Sequence, residues 1–232
     1  MNNRKNWTSQ QNELRLLLNS KSHFEQAIHL FLQQHAAVHA ASIAEATGPQ
    51  CWSLYDEVLA GLTDQQIKTV PRSGQNSIAW LLWHITRIED LSINFLVLEQ
   101  PQVLLSAGAA WLPRLGLASP DVGASMNEVE VLELSTRVSV PALKEYREAV
   151  GRSTRAGVAR LQAAQLKQVI PDTAIQQLRD DGSISPKGEW LAEYYTGRTK
   201  GFFLTRTATS HNFIHLNEAG RARERLLRQT GL

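Results

Sequence analysis

The chain has 232 residues, 43% of them apolar and 20% charged, the proportions of a soluble globular protein with one large domain or two small ones. Its 24 basic and 22 acidic side chains leave a formal charge of +2, too balanced for a surface built to neutralise nucleic-acid phosphates. A lone cysteine, Cys51, excludes an intramolecular disulfide.

Residues 1–20 are polar and mixed. They lack the apolar core of a signal peptide and read as a flexible N-terminal segment. No apolar run reaches the ~20 residues needed to cross a bilayer, so no membrane partner is expected. With a single thiol suited to a reducing compartment, the expected location is the cytoplasm. Cys51 reads as a structural thiol, with a nucleophile as the sharper alternative.

The first strong helix is predicted over about 22–46, where Phe24, Ala27, Ile28, Phe31, Leu32 and Val38 recur at three- and four-residue steps. Gly48-Pro49 ends it. A shorter helix follows over about 53–62, then a loop at 71–74. Asn76 and Ser77 are good caps for a helix running to about 98, with Ser77, Leu81, His84, Ile88, Leu91 and Phe95 along one stripe. Residues 100–140 are mixed and hold one short helix, 126–137, with a possible capping box from Ser125 to Glu128. A long helix is predicted over about 141–165. Residues 171–200 are the least regular, with turn signals at Asp180-Asp181-Gly182 and Pro186-Lys187-Gly188. The last helix covers about 202–228 and lines up Leu204, Ala208, His211 and His215. Its later arginines, Arg221, Arg223, Arg225 and Arg228, suit the negative end of the helix dipole; an anionic partner is the alternative.

No repeat, linker or alternating strand pattern is visible. The expected fold is therefore all-α: one domain over 1–232, a four-helix bundle with short accessory helices and two loop-rich insertions.

His35/His39 and His211/His215 are spaced i,i+4, which puts two imidazoles on one helix face ~6 Å apart along the axis, close enough to share a metal ion. Either pair alone also fits core packing or a solvated face. The second pair sits among apolar neighbours, and His84 lies on the apolar stripe of its own helix, where a buried imidazole needs a partner. His84, His211 and His215 are the candidate metal ligands. His39 is a candidate fourth ligand or a group that orients one, with a carboxylate partner or solvent as alternatives. His35 is a weaker candidate, and His23 and His29 read as surface positions. Glu89 and Asp90 read as helix-surface charges, with ligand orientation as the alternative. Arg87 would pair with them or anchor an anionic substrate. Trp80 and Trp83 read as packing residues, one of them a candidate pocket wall. No catalytic residue is assigned; there is no Ser-His-Asp arrangement, phosphate loop or dinucleotide fingerprint.

Two segments, Asn76-Ser77-Ile78-Ala79-Trp80-Leu81-Leu82-Trp83-His84-Ile85-Thr86-Arg87-Ile88-Glu89-Asp90 and Ala208-Thr209-Ser210-His211-Asn212-Phe213-Ile214-His215-Leu216-Asn217-Glu218, resemble the DinB-like superfamily. The resemblance runs over about 53–228. It implies a four-helix bundle in which His84, His211 and His215 form a metal triad, and it joins residues that spacing alone only nominated. Members include thiol S-transferases that use low-molecular-weight thiols, and metal-dependent hydrolase-like proteins. The related sulfoxide synthases carry His-x-x-x-His-x-Glu and a further catalytic domain. Here position 217 is Asn, so that activity is set aside. The expected cofactor is one divalent ion, zinc or nickel, with iron as an option. The expected function is a metal-dependent enzyme activating a thiol or water, acting on a small molecule and forming a homodimer. The competing expectations are a non-catalytic, stress-associated metal or small-molecule binder, and an interaction scaffold with structural histidines.

Overall fold

Helices carry every long apolar stripe in the computed structural model, which describes residues 6–44, 52–106 and 108–229. Cys51 lies outside the described residues. In chain order the helices are α1 (Trp7–Leu18), α2 (Phe24–Ala37), α3 (Leu54–Leu59), α4 (Asp64–Lys68) and α5 (Ile78–Glu89), which runs straight into a π-helical stretch, Asp90–Val97. Then come α6 (Trp111–Leu115), α7 (Glu128–Arg137), α8 (Val140–Val158), α9 (Asp172–Asp180), α10 (Glu189–Tyr195) and α11 (Lys200–Thr205). A second π-helical stretch, Arg206–His211, joins α11 to α12 (Asn212–Gln229) as one rod. Among the described residues there is no strand, only one isolated bridge, Val169 to Thr199. No helix among them is long and apolar enough to cross a membrane. Four long rods form the bundle: α2, α5 with its π stretch, α8, and α11 to α12.

Four local expectations are corrected. The segment expected to be flexible over 1–20 contains α1, because Trp7, Gln11 and Leu14 fall on one helical stripe and are buried; the polar residues between them hide it. The first long helix stops at Ala37 rather than 46. There Ser53 Oγ donates to the His39 carbonyl, and the Ala41 amide donates to Asp56, so side chains replace helical bonds. The capping box sits two residues later than predicted, at Asn127 and Glu130; both spacings match the template. Residues 171–200 hold α9 and α10, short helices that bury Ile175, Leu178, Leu191 and Tyr195.

The α5 N-terminus forms as the sequence predicts. Ser77 Oγ accepts the Trp80 amide at 2.9 Å, satisfying one of the orphan donors of the first turn. Every residue of α5 is buried, because accessory helices and loops cover the side that a bundle would leave to solvent.

Among the described residues the apolar core falls into two clusters, and the division occurs at one level of the bundle. On α5 the first cluster ends at Ile85 and the second begins at Ile88. On the last rod the second cluster ends at Ala208 and the first resumes at Leu216. Between them lies a polar layer: Thr86, Glu89, His35, His39, Arg147, Thr209 and Asn212, all buried. Burying each large apolar side chain contributes about 1.5–3 kcal/mol. The polar layer must instead satisfy its own hydrogen bonds.

Candidate metal centre

His84 leaves α5 with its ring stacked on Trp80, 4.9 Å between centroids. Its Nδ1 lies 2.7 Å from the Val122 carbonyl oxygen. A carbonyl only accepts, so Nδ1 carries the hydrogen and Nε2 presents a bare lone pair. His215 is fixed in the same way: its Nδ1 donates to the Glu218 carboxylate at 3.0 Å, one turn along α12. Asn76, just ahead of the α5 cap, donates to the other oxygen of Glu218 at 3.3 Å. His211 comes from the π stretch of the last rod, a geometry frequent at functional sites. Its Nε2 stands 3.2 Å from that of His84, and its buried Nδ1 has no hydrogen-bond partner.

One nitrogen from each ring lies within 4.8 Å of the other two. Two nitrogens bound at ~2.0–2.1 Å to a tetrahedral ion stand ~3.4 Å apart, so the 3.2 Å His84–His211 separation fits a shared ion. Protonation agrees. Burial, then the His215 charge, pushes the His84 imidazolium down to about 4. Burial, then the other two imidazoles, holds His211 well below its ordinary value. Both are neutral near pH 7, the form that binds metal.

His39 is not part of this triad. With His35 and Glu89 it forms a second group that could hold a metal ion by donor type and spacing. His35 Nε2 and His39 Nε2 each lie 2.8 Å from a different oxygen of Glu89, and Asn212 Nδ2 donates to Glu89 at 2.7 Å. Burial works to raise the Glu89 carboxyl, but the two imidazoles overrule it and hold it well below the carboxylate range. Burial, then the Arg147 charge, lowers His39 to about 3. Metal-bound histidines almost always donate their other N–H. His84 and His215 do so, whereas His35 Nδ1 and His39 Nδ1 are buried with no partner. An ion here would turn both into unsatisfied donors beside the buried Arg147 cation. The same three residues, with Asn212, cradle one carboxylate between two imidazoles and an amide.

Glu89 and Asp90, read from sequence as surface charges, are thus fully buried. Asp90 accepts from Arg87, Tyr146 and the Val103 and Leu104 amides. Arg87 is also fully buried, out of reach of a substrate. His23 and His29 are exposed, as expected. Sequence reasoning missed the two groups that set the ligand tautomers. Glu218 follows His215 by three residues and was within reach of a helical reading. The Val122 carbonyl, in a loop 38 residues after His84, leaves no signal in residue type.

The cradle makes one prediction about packing. A Cβ added to Gly151 of α8 would lie 2.6 Å from both His39 Nδ1 and Ile43 Cδ1, and Glu89 prevents the ring from moving. Gly151→Ala is expected to destabilise by about 1–3 kcal/mol, although alanine is ~1 kcal/mol the better helix former. A lower urea midpoint at unchanged slope would show it.

No curated protein matches the chain. A family profile described as the DinB superfamily matches residues 49–219, which include His84, His211 and His215. The chain belongs to the DinB superfamily.

Proposed function

We propose that this protein is a metal-dependent enzyme that activates a low-molecular-weight thiol, or water, at one divalent ion held by His84, His211 and His215. Zinc or nickel is the proposed ion, with iron as the third choice; imidazole donors accept all three. One observation carries the reading. His84 and His215 commit their Nδ1 hydrogens to Val122 and Glu218, and the bare Nε2 of His84 faces Nε2 of His211 at 3.2 Å. Three imidazole ligands leave at least one coordination position open, as catalytic zinc sites do. An ion there would bind a thiol as its thiolate or acidify a bound water toward pKa ~7. His211 and His215 are half-buried and Ile214 between them is 61% exposed, so this part of the last rod borders solvent that a small substrate can cross.

A second reading, a non-catalytic metal or small-molecule binder, is favoured by the use of Glu218. The carboxylate bonded to the triad sits at Nδ1 of His215, away from the metal-binding nitrogen, rather than where a general base would stand. Cobalt-loaded protein titrated with N-acetylcysteine separates the readings. A thiolate-to-metal charge-transfer band is expected, followed by metal-dependent consumption of the thiol with 1-chloro-2,4-dinitrobenzene. Absence of the band removes the thiol reading. A band without metal-dependent turnover selects the binder.

A further inference from the structure

Three consecutive backbone carbonyls each accept a hydrogen bond from one stretch of α5. Arg87 Nε donates to Pro120 O at 2.9 Å, Trp83 Nε1 to Asp121 O at 3.0 Å, and His84 Nδ1 to Val122 O at 2.7 Å. Trp83 and Arg87 are fully buried. The loop is tied on its other side as well. The Asp121 carboxylate accepts the Gly123 amide at 2.6 Å and the Ser185 amide at 2.8 Å. The Val122 amide donates to the Ser183 carbonyl at 3.1 Å. Gly123 turns the chain away at φ +79°, where a Cβ would lie 3.1 Å from Trp80 Nε1.

A single carbonyl is a weak anchor for an imidazole unless it is itself held. A histidine ring can exchange tautomers or flip about χ2, and only the bond at its other nitrogen decides which nitrogen faces the ion. Here the carbonyl that decides for His84 is the third of a row. The first two are gripped by Arg87 and Trp83, and the amides on either side of Val122 O are held by Ser183 and Asp121. We infer that Trp83 and Asp121 are positioning residues of the metal centre: they hold the Val122 carbonyl in place and thereby fix the tautomer and ring orientation of His84. This rests on the metal reading of the triad. It gives the Trp83-His84-x-x-Arg87 pattern one purpose, a clamp of donors from one helix on one loop.

The test uses the full chain with three variants. Trp83→Phe keeps an aromatic ring and removes Nε1–H. Asp121→Ala removes both caps, and Asp121→Asn keeps an acceptor oxygen. Zinc affinity is measured by competition with a chromophoric chelator, and the His84 tautomer of the metal-free protein by its nitrogen-15 shifts. Trp83→Phe and Asp121→Ala are expected to weaken zinc roughly 10-fold, the lower end of the effect of groups that orient ligands. The metal-free variants should show mixed His84 tautomers where the parent shows one. Asp121→Asn should recover most of the affinity. Gly151→Ala, which destabilises the bundle away from the loop, should leave both readouts unchanged. The inference is overturned if Trp83→Phe and Asp121→Ala keep parental affinity and a single tautomer, or if Gly151→Ala changes both readouts to the same extent. Should Trp83→Phe fail to fold, the Asp121 pair decides. If the parent chain binds no zinc, the metal reading falls, while the His84 tautomer of the metal-free variants still judges the clamp.

Discussion

His211→Ala is expected to weaken zinc binding by roughly 100-fold or more. Structural zinc sites are bound by about 10–16 kcal/mol, and three imidazoles share that energy here, so losing one removes several kcal/mol. The effect on the metal-free protein should be small. His211 is half-buried and its Nδ1 has no partner, so truncation leaves little that was satisfied. The contrast appears in melting curves. At a metal concentration 100 times Kd, an ion bound only by the folded state stabilises by ~2.7 kcal/mol. For a chain of this size that raises Tm by roughly 5–10 °C. Parent protein should show this rise on adding zinc and lose it with a chelator. His211→Ala should melt at the same temperature with and without zinc, close to the metal-free parent. A variant that keeps the zinc-induced rise would remove His211 from the ligand set.

The largest effect on stability belongs to a residue outside the triad. Glu89→Ala is expected to cost about 3–5 kcal/mol, the range for removing one partner of a buried ionic group. The substitution strands three donors, His35 Nε2, His39 Nε2 and Asn212 Nδ2, and removes the carboxylate that favours the Arg147 cation. It also unties α2 and α12 from α5 in the polar layer between the two apolar clusters. Native stabilities are about 5–15 kcal/mol, so the variant should unfold at far lower urea. Glu89→Gln keeps the volume and one acceptor oxygen and should lose less. If Glu89→Ala instead keeps parental stability but loses a bound ion, the second histidine group, not the triad, is the metal centre.

Much of the bundle could be read from local pattern because its long helices carry stripes at helical spacing. Ser77 announced the start of α5 and serves as its cap. The stripe from Ser77 to Phe95 placed His84 on the inward side, and four-residue spacing placed His211 beside His215; the fold brings the three together. What was lost depends on partners distant in sequence. Arg87, Glu89 and Asp90 look like solvated helix charges, and each is buried by partners far away in sequence, Arg87 by the loops around Pro120 and Ser183 that close over it. Glu89 meets His35 and His39 from 50 or more residues away, and no local spacing encodes that meeting. The π stretches Asp90–Val97 and Arg206–His211 lack a signature in residue type; their wider turns accompany cross-helix bonds such as Ser92 Oγ to Thr207 Oγ1. The N-terminal helix was missed for a different reason: its buried stripe is only Trp7, Gln11 and Leu14, one of them polar, too short to outweigh the composition around it.

Diffraction from zinc-soaked crystals at the zinc absorption edge tests the central claim most directly, because the described residues offer two groups that could hold an ion, and only in the triad do two of the rings donate their outer N–H, His84 to Val122 and His215 to Glu218. The expected result is a single anomalous peak ~2.0–2.1 Å from Nε2 of His84, His211 and His215, with none between His35, His39 and Glu89. A peak in the Glu89 cradle, or none at the triad at neutral pH, would contradict the assignment of the metal centre.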